Sequence, residues 1–539
     1  MPEHPLSLPE LIASLKPPLS LVGFGVEGRA TLAFLRGQGL SGISVYDRGF
    51  SPDDVAALEG ELPGCSFHGE GDWGESLSRG GGPVVRGGGT VVRGGGTVVR
   101  SPGVRPDHPA LSAAREAGAV ITSATELFLA ACPGPVAGVT GTLGKGTTVS
   151  LIEAALTRSG IPCRSGGNIG LNPLAFLEEL TPRDVTVLEL SSFQLMGLSG
   201  PKPGIAVVLR TTSEHLDWHR DVSEYRAAKR GLLAPPSESL HPRSESLPPQ
   251  GESLPPQGES LPPQGESLPP QGESLPPQGE SLPPQGGGQQ VIFCADSEGA
   301  REIVTGHENG ALSFSRVFPL RDGIGVVGGR AYRYRNGASE ALPRLTELSL
   351  AGGFNQENAA AALLAAEHLG ADPERALAAI AEFTGLPHRL ERVGVVGGAG
   401  GVVCYNDSFA TRPEATQGAL SAFAGPLALI VGGSEKNADF ASLAESICRH
   451  EGLRRVVLIG ATAPRIATEI KNAAGMDREA PPMVMAGSLA EAFAQGLAGL
   501  PGKGVLLFSP ACASFDMFSN YKERGEQFKA LVANAGPAD

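Results

Sequence analysis

Gly138-Val139-Thr140-Gly141-Thr142-Leu143-Gly144-Lys145-Gly146-Thr147-Thr148 is the stretch best equipped for chemistry. It follows a short apolar run, residues 135–139, and precedes residues 149–156, which read as helix. Strand, glycine-rich turn, lysine and helix make a phosphate cradle. Small residues let backbone N–H groups close around phosphate oxygens, the helix N-terminus adds positive potential, and Lys145 reaches the outer phosphates. A strict phosphate loop carries Gly where Val139 stands and Ser or Thr where Gly146 stands. That missing hydroxyl ordinarily ligates Mg²⁺, so Thr147 or Thr148 has to substitute.

Glu189 is the next candidate. It interrupts the apolar run at residues 185–190, which is apolar on both faces and predicts a covered parallel strand. A carboxylate at the C-terminal end of such a strand falls where open α/β sheets bind ligands. Buried there, it is costly unless paired or bound to a metal, which points to Mg²⁺. Ser213-Glu214-His215-Leu216-Asp217-Trp218-His219 follows another strand, residues 206–210. His215 reads either as a metal or phosphate group beside the loop or as part of a solvated helix start. Lys229 lies two turns into a helix over 223–233, and by spacing alone is a surface lysine.

The elements that must position these residues are α/β throughout. Residues 19–23 read as a strand leading into Gly23-Phe24-Gly25-Val26-Glu27-Gly28, with a helix over 29–38 and a strand over 43–46 ending at Asp47. This is a dinucleotide fingerprint. It leaves NAD(P), another nucleotide-like ligand and a plain glycine turn open. Gly166-Gly167-Asn168-Ile169-Gly170 is a second glycine-rich turn. Beyond an alanine-rich helix over 359–369, apolar strands at 427–431, 455–459 and 504–508 alternate with helices at 441–449, 463–473 and 488–498. That alternation predicts a parallel, doubly wound sheet. Its strand ends carry Asn406-Asp407-Ser408, Gly432-Gly433-Ser434-Glu435-Lys436 and Ser509-Pro510-Ala511-Cys512-Ala513-Ser514-Phe515-Asp516.

Two low-complexity segments interrupt this pattern. Arg-Gly-Gly-Gly units fill residues 79–99, the last running into Val98-Val99-Arg100-Ser101, a strand and turn. Gly-Glu-Ser-Leu-Pro-Pro-Gln repeats fill residues 244–288, where paired prolines exclude helix and central strand and predict an extended tether. Seven-residue units in both segments suggest repeat expansion.

The 539 residues suffice for three domains at roughly 150 each. A net charge of −14 argues against nucleic acid as a partner. No apolar run approaches a membrane span, and the N-terminus lacks a signal pattern. Seven single cysteines without CxxC fit reduced thiols and a cytoplasmic protein.

The phosphate loop, Glu189-Leu-Ser-Ser-Phe-Gln-Leu, Tyr225-Arg-Ala-Ala-Lys229 and Ser509-Pro-Ala-Cys-Ala-Ser-Phe-Asp together resemble the Mur ligases, in particular those that add D-glutamate. The resemblance covers the chain except the repeats. It implies a Rossmann-like N-terminal domain for the UDP-sugar substrate (1–132), a central P-loop ATPase-like domain (133–385) and a Rossmann-like C-terminal domain for D-glutamate (386–539). It implies ATP and Mg²⁺ as cofactors, UDP-N-acetylmuramoyl-L-alanine and D-glutamate as substrates, no nucleic acid or membrane partner, and a monomer. By match to the family's motifs, Gly141, Thr142, Gly144, Lys145, Gly146 and Thr147 would hold ATP phosphates. Asn358, Arg389 and Asp407 would hold the rest of the nucleotide. Thr147, Glu189 and His215 would hold metal, with Lys229 as a carbamate. Asn168 would contact substrate and metal. Val26, Glu27, Asp47, Ser101 and Gly103 would hold the UDP-sugar. Thr411, Lys436, Ser514, Phe515 and Tyr521 would receive D-glutamate.

The sequence departs from the family's usual pattern at Leu143, Gly146, Arg210, Glu214, Phe354 and Phe409. The alternatives are a ligase of the same superfamily with another amino acid or folate as acceptor, an impaired nucleotide-binding relative, or a dehydrogenase. A dehydrogenase leaves Lys145 and Glu189 unexplained.

Overall fold

The computed structural model describes residues 5–69, 95–168, 171–216, 218–235, 288–350, 352–398, 400–434, 438–475, 480–500 and 502–536. Three parallel-rich sheets follow one another along the chain, each covered by helices. The first has five strands: β1 (Leu19–Val22), β2 (Ile43–Tyr46), β3 (Cys65–His68), β4 (Gly96–Arg100) and β5 (Ala119–Thr122). Their order is β3-β2-β1-β4-β5, all parallel. The chain reverses direction across the sheet between β1 and β4, and the glycine-rich turn leaves β1 at that point.

Strand β4 corrects the expected extent of the first insertion. Residues 96–99 fall inside the segment assigned to repeats, yet every residue of Gly96–Arg100 is buried between β1 and β5. The repeat's Thr-Val-Val is β-branched and fits a pleated, enclosed position. Residues 79–94 and 244–287, which carry the other repeats, lie outside the described residues. The second segment leaves and rejoins at one place. The Ala234 amide donates to Gln289 Oε1 at 2.8 Å, and Gln289 Nε2 donates to the carbonyls of Pro203 and Leu232.

The second sheet contains β6 (Val136–Thr140), β7 (Cys163–Gly167), β8 (Val185–Glu189), β9 (Ile205–Val208), β10 (Gln290–Cys294), β11 (Leu312–Ser315), β12 (Gly323–Val327), β13 (Arg330–Arg335) and β14 (Ala338–Ala341). The order is β14-β13-β12-β11-β10-β9-β6-β8-β7, antiparallel only from β12 to β14. The expected glycine turn at 166–170 is in part strand: Gly166 and Gly167 end β7, paired with Leu188 and Glu189. A Cβ on Gly167 (φ +107°) would stand 2.2 Å from the Glu189 carbonyl, so glycine lets β7 close on the strand that carries the carboxylate.

The third sheet is β15 (Glu391–Val396), β16 (Val402–Asn406), β17 (Leu427–Val431), β18 (Leu453–Ile459), β19 (Met483–Ala486) and β20 (Gly504–Phe508). Its order is β15-β16-β20-β17-β18-β19. The expected parallel, doubly wound arrangement is present, with β15 added antiparallel at one edge. One continuous core runs through the first two sheets, from Leu11 and Phe128 to Phe176 and Leu363. The third sheet has separate cores on its two faces.

Candidate active site

Strand β6 delivers the phosphate loop to the N-terminus of the helix Lys145–Arg158. Gly144 takes φ +86°, and a Cβ there would lie 2.2 Å from Asn358 Oδ1. Only glycine lets Asn358, from the helix Phe354–His368, settle on the loop. Lys145 curls over the loop, donating from Nζ to the carbonyls of Gly141 (3.0 Å) and Thr142 (2.9 Å). Burial lowers its pKa, against the pull of Glu189 and Glu214.

Glu189 closes β8 and is 2% exposed. Its Oε1 accepts from Asn168 Nδ2 at 2.9 Å, while Oε2 is buried without a hydrogen-bond partner. An orphaned carboxylate oxygen in such a place is costly and fits a cation. Thr147 and His215 line the same cavity, so it offers oxygen donors suited to Mg²⁺ and an imidazole that can meet a metal or a phosphate. Among the described residues no three His, Cys, Asp or Glu side chains form a ready-made metal cage. His215 has a left-handed backbone (φ +58°) and packs edge-on against Phe193.

Lys229 overturns its reading from spacing. It is 2% exposed, and Nζ donates to the Gly141 carbonyl (2.9 Å) and to Thr140 Oγ1 (3.3 Å), behind the loop. The helix Val222–Arg230 buries Tyr225, Ala228 and Lys229 on one face, with Nζ 4.6 Å over the Tyr225 ring. Burial first, and the charge of Lys145 second, push its pKa well below the usual lysine range.

The cavity holds about 720 Å³ between the second and third sheets. From the middle sheet it receives Thr142, Gly144, Lys145, Gly146, Asn168 and Asn358 besides the groups above. From the third come Arg389, Asp407, Thr411 and Tyr521. The Arg389 guanidinium lies 3.9 Å over the Phe409 ring. Asp407 is buried; Ser509 Oγ donates to its Oδ2 (2.6 Å) and the Leu390 amide to its Oδ1 (3.1 Å). Burial pushes its carboxyl up to about 7.

Ser514 and Phe515 do not line this cavity, and Lys436 lies outside the described residues. Ser514 is buried with its Oγ unpartnered, as is the Oγ of Ser434, whose amide donates to the Ala513 carbonyl; Phe515 is exposed. Arg524, which sequence reasoning missed, joins this loop to Ser408, just past the end of β16. Its guanidinium donates to Ser408 Oγ and carbonyl, and to the carbonyls of Cys512 and Ala513, at 2.8–3.1 Å. Its position in an amphipathic helix gave no signal. Arg210 and Glu214 also line the cavity, Arg210 held by Glu357.

In the first domain, Asp47 accepts from the Phe24 and Gly49 amides and so braces the glycine turn. Ser101 Oγ donates to the Gly23 carbonyl. Val26 is exposed, and Gln194 Nε2 donates to Glu27 Oε2 (3.2 Å) while Oε1 is buried and unpartnered. Burial pushes this carboxyl up to about 7. The Gly103 carbonyl accepts from Trp218 Nε1, so the turn borders the middle domain near His215.

Comparison with known proteins adds the family. Residues 139–240 match the Mur ligase middle domain and 388–512 the Mur ligase glutamate ligase domain. A UDP-N-acetylmuramoylalanine--D-glutamate ligase of Symbiobacterium thermophilum is 34% identical over 79% of this chain and 82% of its own. One of Acidobacterium capsulatum is 32% identical over 96% of both. A pseudomurein peptide ligase type C from Methanothermus fervidus, 13% identical, shares the fold with a TM-score of 0.50 over 96% of this chain and all of its own. With its phosphate loop, its buried Glu189 and its three sheets in this order, the chain belongs to the Mur ligase family.

Proposed function

We propose that the chain is an ATP-dependent ligase that joins D-glutamate to UDP-N-acetylmuramoyl-L-alanine in peptidoglycan synthesis, in the cytoplasm. One observation carries this reading. The phosphate loop and the orphaned oxygen of Glu189 share one cavity with Arg389, Asp407 and Thr411 of the next domain. The relatives at 32–34% identity carry that activity in their names.

A carboxylate oxygen of the alanyl substrate bonds to the γ-phosphorus of ATP while the bond to ADP breaks and its electrons leave on ADP. The D-glutamate amine then attacks the acyl carbon, loses a proton, and phosphate departs. Charge gathers on phosphoryl oxygens throughout, so the protein's work is positioning and electrostatic support. Lys145, with the backbone of Gly141, Thr142, Gly144, Gly146 and Thr147, supports the phosphates. Asn358, Arg389 and Asp407 orient the nucleotide. Thr147, Glu189 and His215 would hold Mg²⁺, which neutralises phosphate charge when bound. Burial pushes the pKa of Lys229 well below the usual lysine range, which favours the neutral amine that adds CO₂, and as a carbamate it would give a second metal an oxygen ligand. Asn168 orients Glu189. Val26, Glu27, Asp47, Ser101 and Gly103 bind the UDP-sugar end. Thr411, Lys436, Ser514, Phe515 and Tyr521 receive D-glutamate, whose carboxylates suit Lys436 and the unpartnered Ser514 hydroxyl.

The test is phosphate release from ATP and Mg²⁺ with UDP-N-acetylmuramoyl-L-alanine, with and without D-glutamate, and with L-glutamate as control. Release that needs both the sugar nucleotide and the D-enantiomer is expected. Equal release with L-glutamate would remove the D-glutamate assignment.

A further inference from the structure

Arg412 stands at the entry to the helix Pro413–Leu420 in the third domain and reaches across the cavity to the middle domain. Its Nη1 lies 3.4 Å from His215 Nδ1 and 3.9 Å from Glu214 Oε1, and its side chain is 50% exposed. The other cations around the cavity each have a role or a partner already. Lys145 holds two loop carbonyls. Arg210 makes hydrogen bonds of 2.6 and 3.1 Å to Glu357. Arg389 is spread over the Phe409 ring. Among the described residues Arg412 instead makes two long contacts, which a closer anion can displace. Its planar fork matches two oxygens of a phosphoryl group.

We propose that Arg412 is a phosphate-contacting catalytic residue, which the third domain lays on the phosphoryl group as it passes from ATP to the substrate carboxylate. This rests on the ligase reading above. The location supports it. Glu214, which faces Arg412, lines the same cavity as Lys145, so Arg412 borders the space onto which the phosphate-loop lysine opens. As the γ-phosphorus bonds to the carboxylate oxygen and the bond to ADP breaks, negative charge spreads over the three remaining oxygens. An arginine fork there gains most in the transition state. Glu214 and His215 hold it in readiness until the phosphoryl group takes their place. Because it comes from the opposite domain, it also ties chemistry to the approach of the two.

The test uses the full-length chain as Arg412→Ala and Arg412→Lys, with ATP, Mg²⁺, UDP-N-acetylmuramoyl-L-alanine and D-glutamate. R412A should lose about 10²-fold or more in kcat, with the KM for ATP within about threefold. R412K should recover part of the loss, because it restores charge without the fork. Millimolar guanidinium should raise the R412A rate and leave the parent unchanged. An R412A kcat within about threefold of the parent overturns the proposal. So does a loss that guanidinium cannot restore and that comes with a lowered melting temperature, which would mark a structural latch. A parent without D-glutamate-dependent phosphate release defeats the ligase reading and this role together, whereas an active parent with an undiminished R412A defeats this role alone.

Discussion

The first and second domains are joined far more firmly than the second and third. Between the first two, a single hydrophobic core crosses the boundary, with Phe128 edge-on to Phe176. Buried and half-buried polar groups reinforce it. Arg100 donates to the Met196 carbonyl, Glu126 accepts from the Ser199 and Gly200 amides, and Arg105 makes a two-pronged pair with Glu224. The third domain keeps its own cores and faces the second across the cavity, where Arg412 makes long contacts. A fused pair gives a fixed platform for the phosphate loop and for the sugar nucleotide proposed to lie beside it. A domain with a separate core can approach and retreat at small cost, which suits a site that must admit ATP and then exclude water.

Four measurements bear on that contrast. Removing chemistry from the fixed platform has the largest effect: Lys145→Ala or Glu189→Gln should each reduce phosphate release about 10³-fold or more while leaving the fold intact. Residual activity within tenfold would move the reaction away from this platform. Next, calorimetry without nucleotide should resolve two unfolding transitions, one for the fused pair and one for the third domain. A single cooperative transition would abolish the distinction.

Asp407 sharpens the comparison within the third domain. Burial raises its carboxyl from 3.8 to about 7, so the folded domain binds this proton more tightly than the unfolded chain. The resulting stabilisation is fully present below about pH 4 and is lost as pH rises through about 7. The third domain's transition should therefore fall between pH 5 and pH 8, and Asp407→Asn should remove that part of the fall without touching the other transition. The smallest effect is expected from replacing residues 236–287 by a short linker. Ala234 and Gln289 already meet, so activity should stay within about twofold. Shortening the loop should stabilise the fused pair by at most about 2 kcal/mol. A collapse of folding would give the repeat a structural role.

Much of the site was legible in residue order because its parts are local. A phosphate loop is built from successive backbone amides, so Gly141 to Thr148 announce themselves, and a carboxylate closing an apolar strand announces Glu189. The strands of the third sheet showed as apolar runs for the same reason. Other parts are not local. Val98 and Val99 read as strand, but Gly96 and Thr97 of β4 looked like repeat alone, because their role depends on β1 and β5 beside them. Gly166 and Gly167 looked like a turn because their use, close approach to β8, involves a distant strand.

The sequence by itself determined the fold class, the phosphate loop and the acidic strand end, since these follow from composition, period and short-range spacing, and its motifs carried the resemblance to the family. Only the tertiary structure decided which charges are buried and which domains meet. Lys229 is a surface lysine by its place in a helix, and only its burial behind the loop, with the charge of Lys145 nearby, pushes its pKa well below the usual lysine range. Arg412 lies nearly two hundred positions from His215 in sequence, and only the facing of two sheets across one cavity brings them within 3.4 Å. Desolvation and long-range electrostatics depend on distances that no local pattern encodes.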